Sequence, residues 1–504
     1  MKRRDFLAAA SSMVLPLTVN GLGLKAYNEN SKLVQSALAT NSLEQDKILV
    51  IIYLNGGNDG LNTVIPIEYY SEYFNLRSNI AIPENRVLPL EGNLETGLHP
   101  SMDGMRNLYN DGKLAIVHSV SYPNPDLSHP RSTEILMTGV DSNQYSRSGW
   151  AGRYLQDRFK TYPDGYPNDQ MRDPLAIQIG YIDTPTLFGN DQPMNVAIQD
   201  PQRFYSLLGN IGEVSETNLP CCDAGDMISF IRQQQVLSVG YSNEIKSAAD
   251  KGTNLGAYPA ASLAQQLKIV ARLIHGGLQT KIYYVEMGGF DTHATQVGTT
   301  SLEGVHATLL KNLSDSIAAF QNDLILQGNE NKVIGMTFSE FGRRANSNAS
   351  KGTDHGVAAP MFVFGSGVKR QVVGTNPNLV SDLLPPIVPW DKNQNVKMQI
   401  DFRRVYGDIL NDWFGNSQSS TNSILFKEFD TISLFSETVE SVSSGFWPDR
   451  NIWSTGRPPG VNDYVKINNG HQINLGQNVT VKNIYVGSGA ELSLMGNYKI
   501  STTG

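Results

Sequence analysis

The sequence predicts an α/β fold with a largely parallel sheet, followed by a small all-β module. Three observations carry that prediction. Apolar, β-forming runs recur after Lys47, at Leu114 to Val120, at Ile282 to Glu286 and at Val333 to Phe338. A long helical pattern joins the last two of these runs, as a crossover between parallel strands requires. From about Ser436 the pattern changes to short alternating segments divided by Asn-Gly, Gly-Gln and Gly-Ser turns, the signature of a β-solenoid rung or a small sandwich.

In chain order, MKRRDFLAAASSMVLPLTV opens with Arg3-Arg4 ahead of Phe6-Leu7 and a moderately apolar stretch to Val19. This has the form of a twin-arginine signal. It falls short of the roughly 20 apolar residues that a membrane span needs, so no stable transmembrane segment is expected after processing. Cleavage after Ala39 or Ala26 fits the small residues there. Residues 1–39 are therefore assigned to a signal peptide and linker, with the twin-arginine export machinery as a partner and the periplasm or cell surface as the destination. That route carries folded proteins, so a metal could be inserted before export.

The polar stretch Asn28 to Asp46 reads as a linker. Residues 47–435 form the α/β domain. Within it, SLEGVHATLLKNLSDSIAAFQNDLILQG places Leu302, Val305, Leu309, Leu313, Ile317, Phe320 and Leu324 at helical intervals. SLAQQLKIVARLIHGG is a second helix, with Gly276-Gly277 as its stop. Residues 440–504 form the β-rich module.

Bulk properties narrow the function. A net charge of -8 and a pI near 5.6 supply no basic surface for nucleic acid, whose binding needs clustered Lys and Arg. Cys221 and Cys222, the only cysteines, are adjacent and fit neither a long-range disulfide nor a zinc-ligand spacing.

Each strand-like run leads into a loop rich in chemistry. LVIIYLNGGNDGLN delivers Asp59; NPDLSHPRSTEILMTG delivers Ser128 and His129; GGFDTHATQ delivers Asp291 and His293. TFSEFGRR supplies Glu340 and Arg343, and Asp354-His355 follow on the next loop. In open parallel sheets such loops share the edge at the carboxyl ends of the strands. Carboxylates and imidazoles converging there would be costly to desolvate without a cation. A mixed Asp, Glu and His set suits zinc, manganese or iron better than calcium. Arg343 could hold a phosphate or sulfate in bidentate fashion. Taken singly, these residues have plainer uses: Asp59 as a turn residue, Ser128 and Ser132 as helix N-caps, and Pro130 in a first helical turn.

GGNDGLNTVIP, SHPRSTEI, GWAGRYL, GGFDTH, and SEFGRR with GTDHG together resemble the DUF1501 family, exported proteins related to the alkaline phosphatase and sulfatase superfamily. The resemblance runs from Lys47 to Gly415. It implies an alkaline phosphatase-like α/β/α sandwich and one or two divalent ions, zinc or manganese. It places Glu340 at a carboxylate ligand and His355 at a late histidine ligand, and likens Asp291 and His293 to an Asp-to-His ligand pair at a shorter spacing than usual. Phe341 stands where a histidine is expected. Asp59 lies a few residues past the first aspartate's position, with Asn55 nearer to it. The nucleophile falls at or beside His129, with Ser128 one residue earlier, or is metal-bound water.

The expectation is an exported metal-dependent hydrolase acting on small-molecule or glycan-linked phosphate or sulfate esters. Asp59, Asp291, His293, Glu340, Asp354 and His355 would serve the metal, and Ser128, His129 and Arg343 the chemistry. The rival is a non-catalytic cell-envelope binding or assembly protein that retains the fold.

Overall fold

The computed structural model describes residues 17–19, 22–24, 47–169, 171–180, 184–190, 192–198, 241–385, 394–435, 438–461 and 463–502. Arg3-Arg4, both candidate cleavage positions, the linker and Cys221-Cys222 lie outside these residues. The chain divides into an α/β unit, Lys47–Leu434, and a second unit comprising Phe435–Gly504 and the residues up to Asp46.

The α/β unit is built on a nine-stranded sheet. Its strands are β1 (Ile48–Leu54), β2 (Leu114–Ser121), β3 (Ala176–Ile179), β4 (Asn195–Ile198), β5 (Ile282–Met287), β6 (Val333–Phe338), β7 (Ala359–Phe364), β8 (Gln371–Val373) and β9 (Ile400–Asp401). They lie in the order β8-β2-β7-β6-β1-β5-β3-β4, with β9 paired to β2. Every residue of β1 is buried. A central strand covered on both faces has to be apolar throughout, which explains the uninterrupted ILVIIYL.

Among these strands only β7 runs antiparallel to its neighbours. The registers put Met287 beside Leu54, Phe338 beside Tyr53 and Ala359 beside Val120. The carboxyl ends of β1, β2, β5 and β6 therefore share one edge with the amino end of β7. The reversal of β7 brings the loop before it to that edge, rather than the loop after it.

Helices cover both faces. On one, Ile48, Val50, Ile52 and Leu54 pack with Leu267 and Val270 of α2 (Ser262–His275) and with Leu313, Ile317 and Phe320 of α3 (Val305–Gln327). On the other, Tyr53 stacks on Phe338 at 4.9 Å and bonds to Thr133 at 2.9 Å. Thr133 belongs to α1 (His129–Thr138). Helix α2 stops at Gly276 as expected. Helix α3 begins later than its pattern suggests, because Gly304 has φ +118, outside the helical region, and leaves Leu302 ahead of the helix. No helix among the described residues is long and apolar enough to cross a membrane.

In the second unit, parallel strands stack in register. Thr438–Glu440, Tyr464–Ile467 and Asn483–Val486 form one ladder. Gly445–Phe446, Gln472–Leu475 and Glu491–Leu494 form another, and Val479–Val481 pairs with Ile500–Thr502. This is a solenoid stack and not a sandwich of antiparallel hairpins. Val465, Ile467, Ile473, Leu475 and Val481 fill its interior around Trp447 and Trp453.

Candidate metal centre

Four segments bring the site together. Ser128 has an extended backbone (φ -90, ψ 135), Pro130 occupies the first turn, and α1 therefore starts at His129. The expected Ser128 cap bond is not formed. Its Oγ donates instead to Asp126 Oδ1 at 2.6 Å, and its N–H reaches the same oxygen at 2.7 Å. Ser132, also expected as a cap, lies inside the helix and bonds to Tyr122.

The loops after β1 and β5 pack in direct contact. Gly56 has φ +124, and a Cβ there would lie 2.3 Å from the Asp291 nitrogen, so only glycine fits. Asp291 extends beyond that contact, with its side chain 47% exposed.

Three imidazoles face Asp291. His355 Nε2 is 3.3 Å and His293 Nε2 3.1 Å from Asp291 Oδ1, and His129 Nε2 is 3.5 Å from Oδ2. His293 Nε2 and His355 Nε2 are 2.9 Å apart. Ligands bound tetrahedrally at about 2.0–2.1 Å from a zinc ion stand roughly 3.3 Å from one another. The His355 and His293 contacts with Asp291 Oδ1, at 3.3 and 3.1 Å, are close to that.

Every one of these rings is tied at its other nitrogen to an oxygen. His129 Nδ1 meets Glu340 Oε1 at 2.7 Å, His355 Nδ1 meets the Leu127 carbonyl at 2.8 Å, and His293 Nδ1 meets Asp354 Oδ1 at 3.2 Å. Those acceptors assign the proton to Nδ1 and leave the Nε2 lone pairs directed inward. Two lone pairs facing each other at 2.9 Å repel unless a proton or a cation lies between them. Burial, aided by the charges of Arg343 and His129, outweighs the Leu127 and Asp291 bonds and lowers the His355 pKa. That keeps its nitrogen available to a cation. His129, Asp291 and His355 are thus compatible with a metal site, and His293 stands beside them, its Nε2 2.9 Å from that of His355 and 3.1 Å from Asp291 Oδ1.

Arg343 anchors the cluster from below. It was expected to clamp a substrate anion, but its side chain has no exposure. Nε donates to the Gly57 carbonyl at 2.7 Å and Nη1 to that of Thr353 at 2.8 Å. Nη2 serves the Gly56 and Phe290 carbonyls and Asp291 Oδ1, the last at 2.6 Å. Burial pushes the Asp291 carboxyl up, but the Arg343 bond and charge, with help from His293 and His129, hold it below its usual range.

Three expected ligands lie elsewhere, Asp354 among them, since its Oδ1 is engaged by His293 Nδ1 and the Asn348 amide, both at 3.2 Å, and holds that imidazole from behind. Glu340 is buried behind His129, where Oε1 also accepts the Gly56 N–H at 2.8 Å, so it orients that imidazole and does not face the cluster. Asp59 is fully buried and paired with Arg77 at 2.7 and 2.8 Å, and it also accepts from Gln296 at 2.6 Å. Its loop turns it under the edge, where a guanidinium already supplies the positive charge. Phe341 is buried against His129 and His355, with ring centroids at 4.8 and 4.4 Å. Arg77, Gln296 and the Leu127 carbonyl carried no signal in the sequence.

Among the solved structures that this chain is similar to are three distant likenesses. A mutant of the alkaline phosphatase PafA is 9% identical over 58% of this chain and 63% of its own, with TM-score 0.27. The alkaline phosphatase of the Antarctic bacterium TAB5 is 9% identical over 65% of this chain and 94% of its own, with TM-score 0.27. A sulfatase from Pseudoalteromonas sp. is 10% identical over 69% of each chain, with TM-score 0.26. This chain thus spans less than two thirds of the first of them. Among curated proteins none matches. Residues 240–425, which carry Asp291, His293, Glu340, Arg343 and His355, match the family described as protein of unknown function, DUF1501.

Proposed function

We propose that this chain is a metal-dependent hydrolase of phosphate or sulfate esters, exported by the twin-arginine route to the periplasm or cell surface. The carrying observation is the set of three imidazoles, each with Nδ1 engaged by an oxygen, whose Nε2 atoms converge on one half-exposed carboxylate. Charge supports it. Asp291, with Asp354 and Glu340 behind the imidazoles, sets three carboxylates around the cluster against the guanidinium groups of Arg343 and of Arg344, which bonds to the His355 carbonyl, an excess that attracts a cation. His129, Asp291, His293 and His355 would hold the ion, with zinc or manganese favoured by the donor set. A bound divalent ion would supply Lewis-acid polarisation of an ester oxygen and ease deprotonation of water.

The chain's own residues prepare that site. Glu340, the Leu127 carbonyl and Asp354 hold the ring protons at Nδ1, and Arg343 fixes the Asp291 carboxylate. Phe341 excludes water from one flank of His129 and His355. The amino end of α1 opens at His129, so its dipole favours negative charge developing there. The Ser128 hydroxyl donates to Asp126, whose carboxyl that bond and the Ser128 N–H hold below the usual range. Asp126 is thereby a weak proton acceptor, which favours water over Ser128 as the nucleophile.

Metal content of the purified full chain, measured with turnover of aryl phosphate and aryl sulfate before and after chelation, tests this. At least one bound ion, lost in His355→Ala together with turnover, is expected. A protein that binds no divalent metal and cleaves neither ester would overturn the assignment.

A further inference from the structure

Beneath the cluster lies a fully buried amide that touches both ligand-bearing loops. Gln296 Oε1 accepts from Thr292 Oγ1 at 3.1 Å and from Thr353 Oγ1 at 2.9 Å. Thr292 stands between Asp291 and His293, and Thr353 directly precedes Asp354 and His355. All three are buried, Gln296 and Thr353 completely. The backbone ties run alongside: the Thr353 N–H donates to the Thr292 carbonyl at 3.2 Å, and the Gln296 N–H to that of Lys351 at 2.9 Å.

One residue dictates which way the amide faces. An ionised carboxylate only accepts hydrogen bonds, so Gln296 Nε2, 2.6 Å from Asp59 Oδ2, has to point at Asp59. Its oxygen then has to point at the two threonines. Flipping the amide would set oxygen against oxygen at Asp59. Arg77 in turn holds both Asp59 oxygens at 2.7 and 2.8 Å, so the carboxylate cannot rotate to relieve such a contact.

We infer that Gln296, oriented by Asp59, is a positioning residue that sets the distance between the Asp291–His293 pair and the Asp354–His355 pair. In this role the buried Asp59–Arg77 pair fixes the spacing of the Nε2 atoms above it without touching the ion. The inference rests on the metal assignment made above. It predicts that metal affinity depends on two threonine hydroxyls that are not ligands.

Thr292→Val and Thr353→Val remove those hydroxyls at nearly constant volume, while Thr292→Ser and Thr353→Ser retain them. Dissociation constants for zinc, and for cobalt with its visible absorption as a readout of ligand geometry, are measured by chelator competition on the full chain. Thermal unfolding of the metal-free proteins is measured beside them. Each valine variant should bind metal about 10-fold more weakly or worse, in the range typical of lost outer contacts at metal sites, with a changed cobalt spectrum. Each serine variant should bind within about 3-fold of the parent, well below that range. Should valine at 353 prevent folding, Thr292→Val decides the matter alone. Valine variants with parental affinity and an unchanged spectrum would overturn the positioning role of Gln296 while leaving the metal site intact. A parent chain that binds no metal would remove both.

Discussion

Replacing Arg77 with methionine tests whether Asp59 belongs to the buried framework rather than to the metal. Both side chains of the pair have zero exposure. Arg77 also donates to the Ala345 carbonyl at 2.8 Å and the Arg344 carbonyl at 2.6 Å. Arg77→Met keeps most of the apolar stem but leaves a buried carboxylate without its partner, a change that costs about 3–5 kcal/mol. Stranding the two carbonyls adds roughly 1 kcal/mol each. The companion Arg77→Met with Asp59→Asn removes the uncompensated charge while keeping an acceptor for Gln296, and should recover about 3 kcal/mol of the loss. Urea unfolding followed by far-ultraviolet circular dichroism measures both.

The deficit should also depend on pH. With Arg77 present, burial pushes Asp59 up, but the Arg77 and His306 charges and the Arg77 and Gln296 bonds outweigh it and hold the pKa low. The parent therefore gains stability from this group above the unfolded pKa of about 3.9, and loses it as pH falls through the lower folded value. Without Arg77, burial raises the folded pKa, and the stability loss grows as pH rises through the window above the unfolded value. A single variant that loses less than about 1 kcal/mol, or a double variant no more stable than the single, would refute this account, because a buried unpaired charge cannot be that cheap.

Two further outcomes are expected. Burial lowers the pKa of His99 to about 3 and of His118 and His306 to about 4, from 6.5. The unfolded chain then takes up more protons than the folded one below about pH 6.5. Stability should fall on going from pH 7.5 toward pH 4.5, by an amount on the order of 3 kcal/mol for one such group, and a urea midpoint independent of pH across that range would contradict it. Gly57→Ala places a Cβ 2.4 Å from the Phe341 ring at a backbone φ of +78. It should destabilise the α/β unit by more than the roughly 1–2 kcal/mol of left-handed strain alone, read in the same urea titration.

Much of the scaffold was legible because it is repetitive and local. Uninterrupted runs such as ILVIIYL announce strands buried on both faces, and the apolar rows of Ser262–His275 announce a helix against them. The site was legible in part for the same reason. A parallel sheet gathers its loops at one edge, so Asp291, His293 and His355 could be grouped before any distance was known. The start of α3 was less visible, since Gly304 breaks a helical pattern that apolar spacing alone would continue.

The division of labour among the polar residues was not in the sequence. Nothing local distinguishes Asp59 from Asp291, yet one is sealed under Arg77 and Gln296 while the other stands half exposed among three imidazoles. Arg343 and Glu340 likewise read as groups for substrate and metal, and became the anchors of Asp291 and His129.

By itself, then, the sequence determined the α/β class, four of the nine strands that form the sheet and the loops that meet at its edge, because hydrophobic periodicity and turn chemistry act over a few residues. Only the tertiary structure decided which side chains face the cluster and which hold it from behind. That choice depends on partners far apart in the chain, such as Asp59 with Gln296 and His129 with Glu340. It is made by burial and hydrogen-bond satisfaction in the folded state.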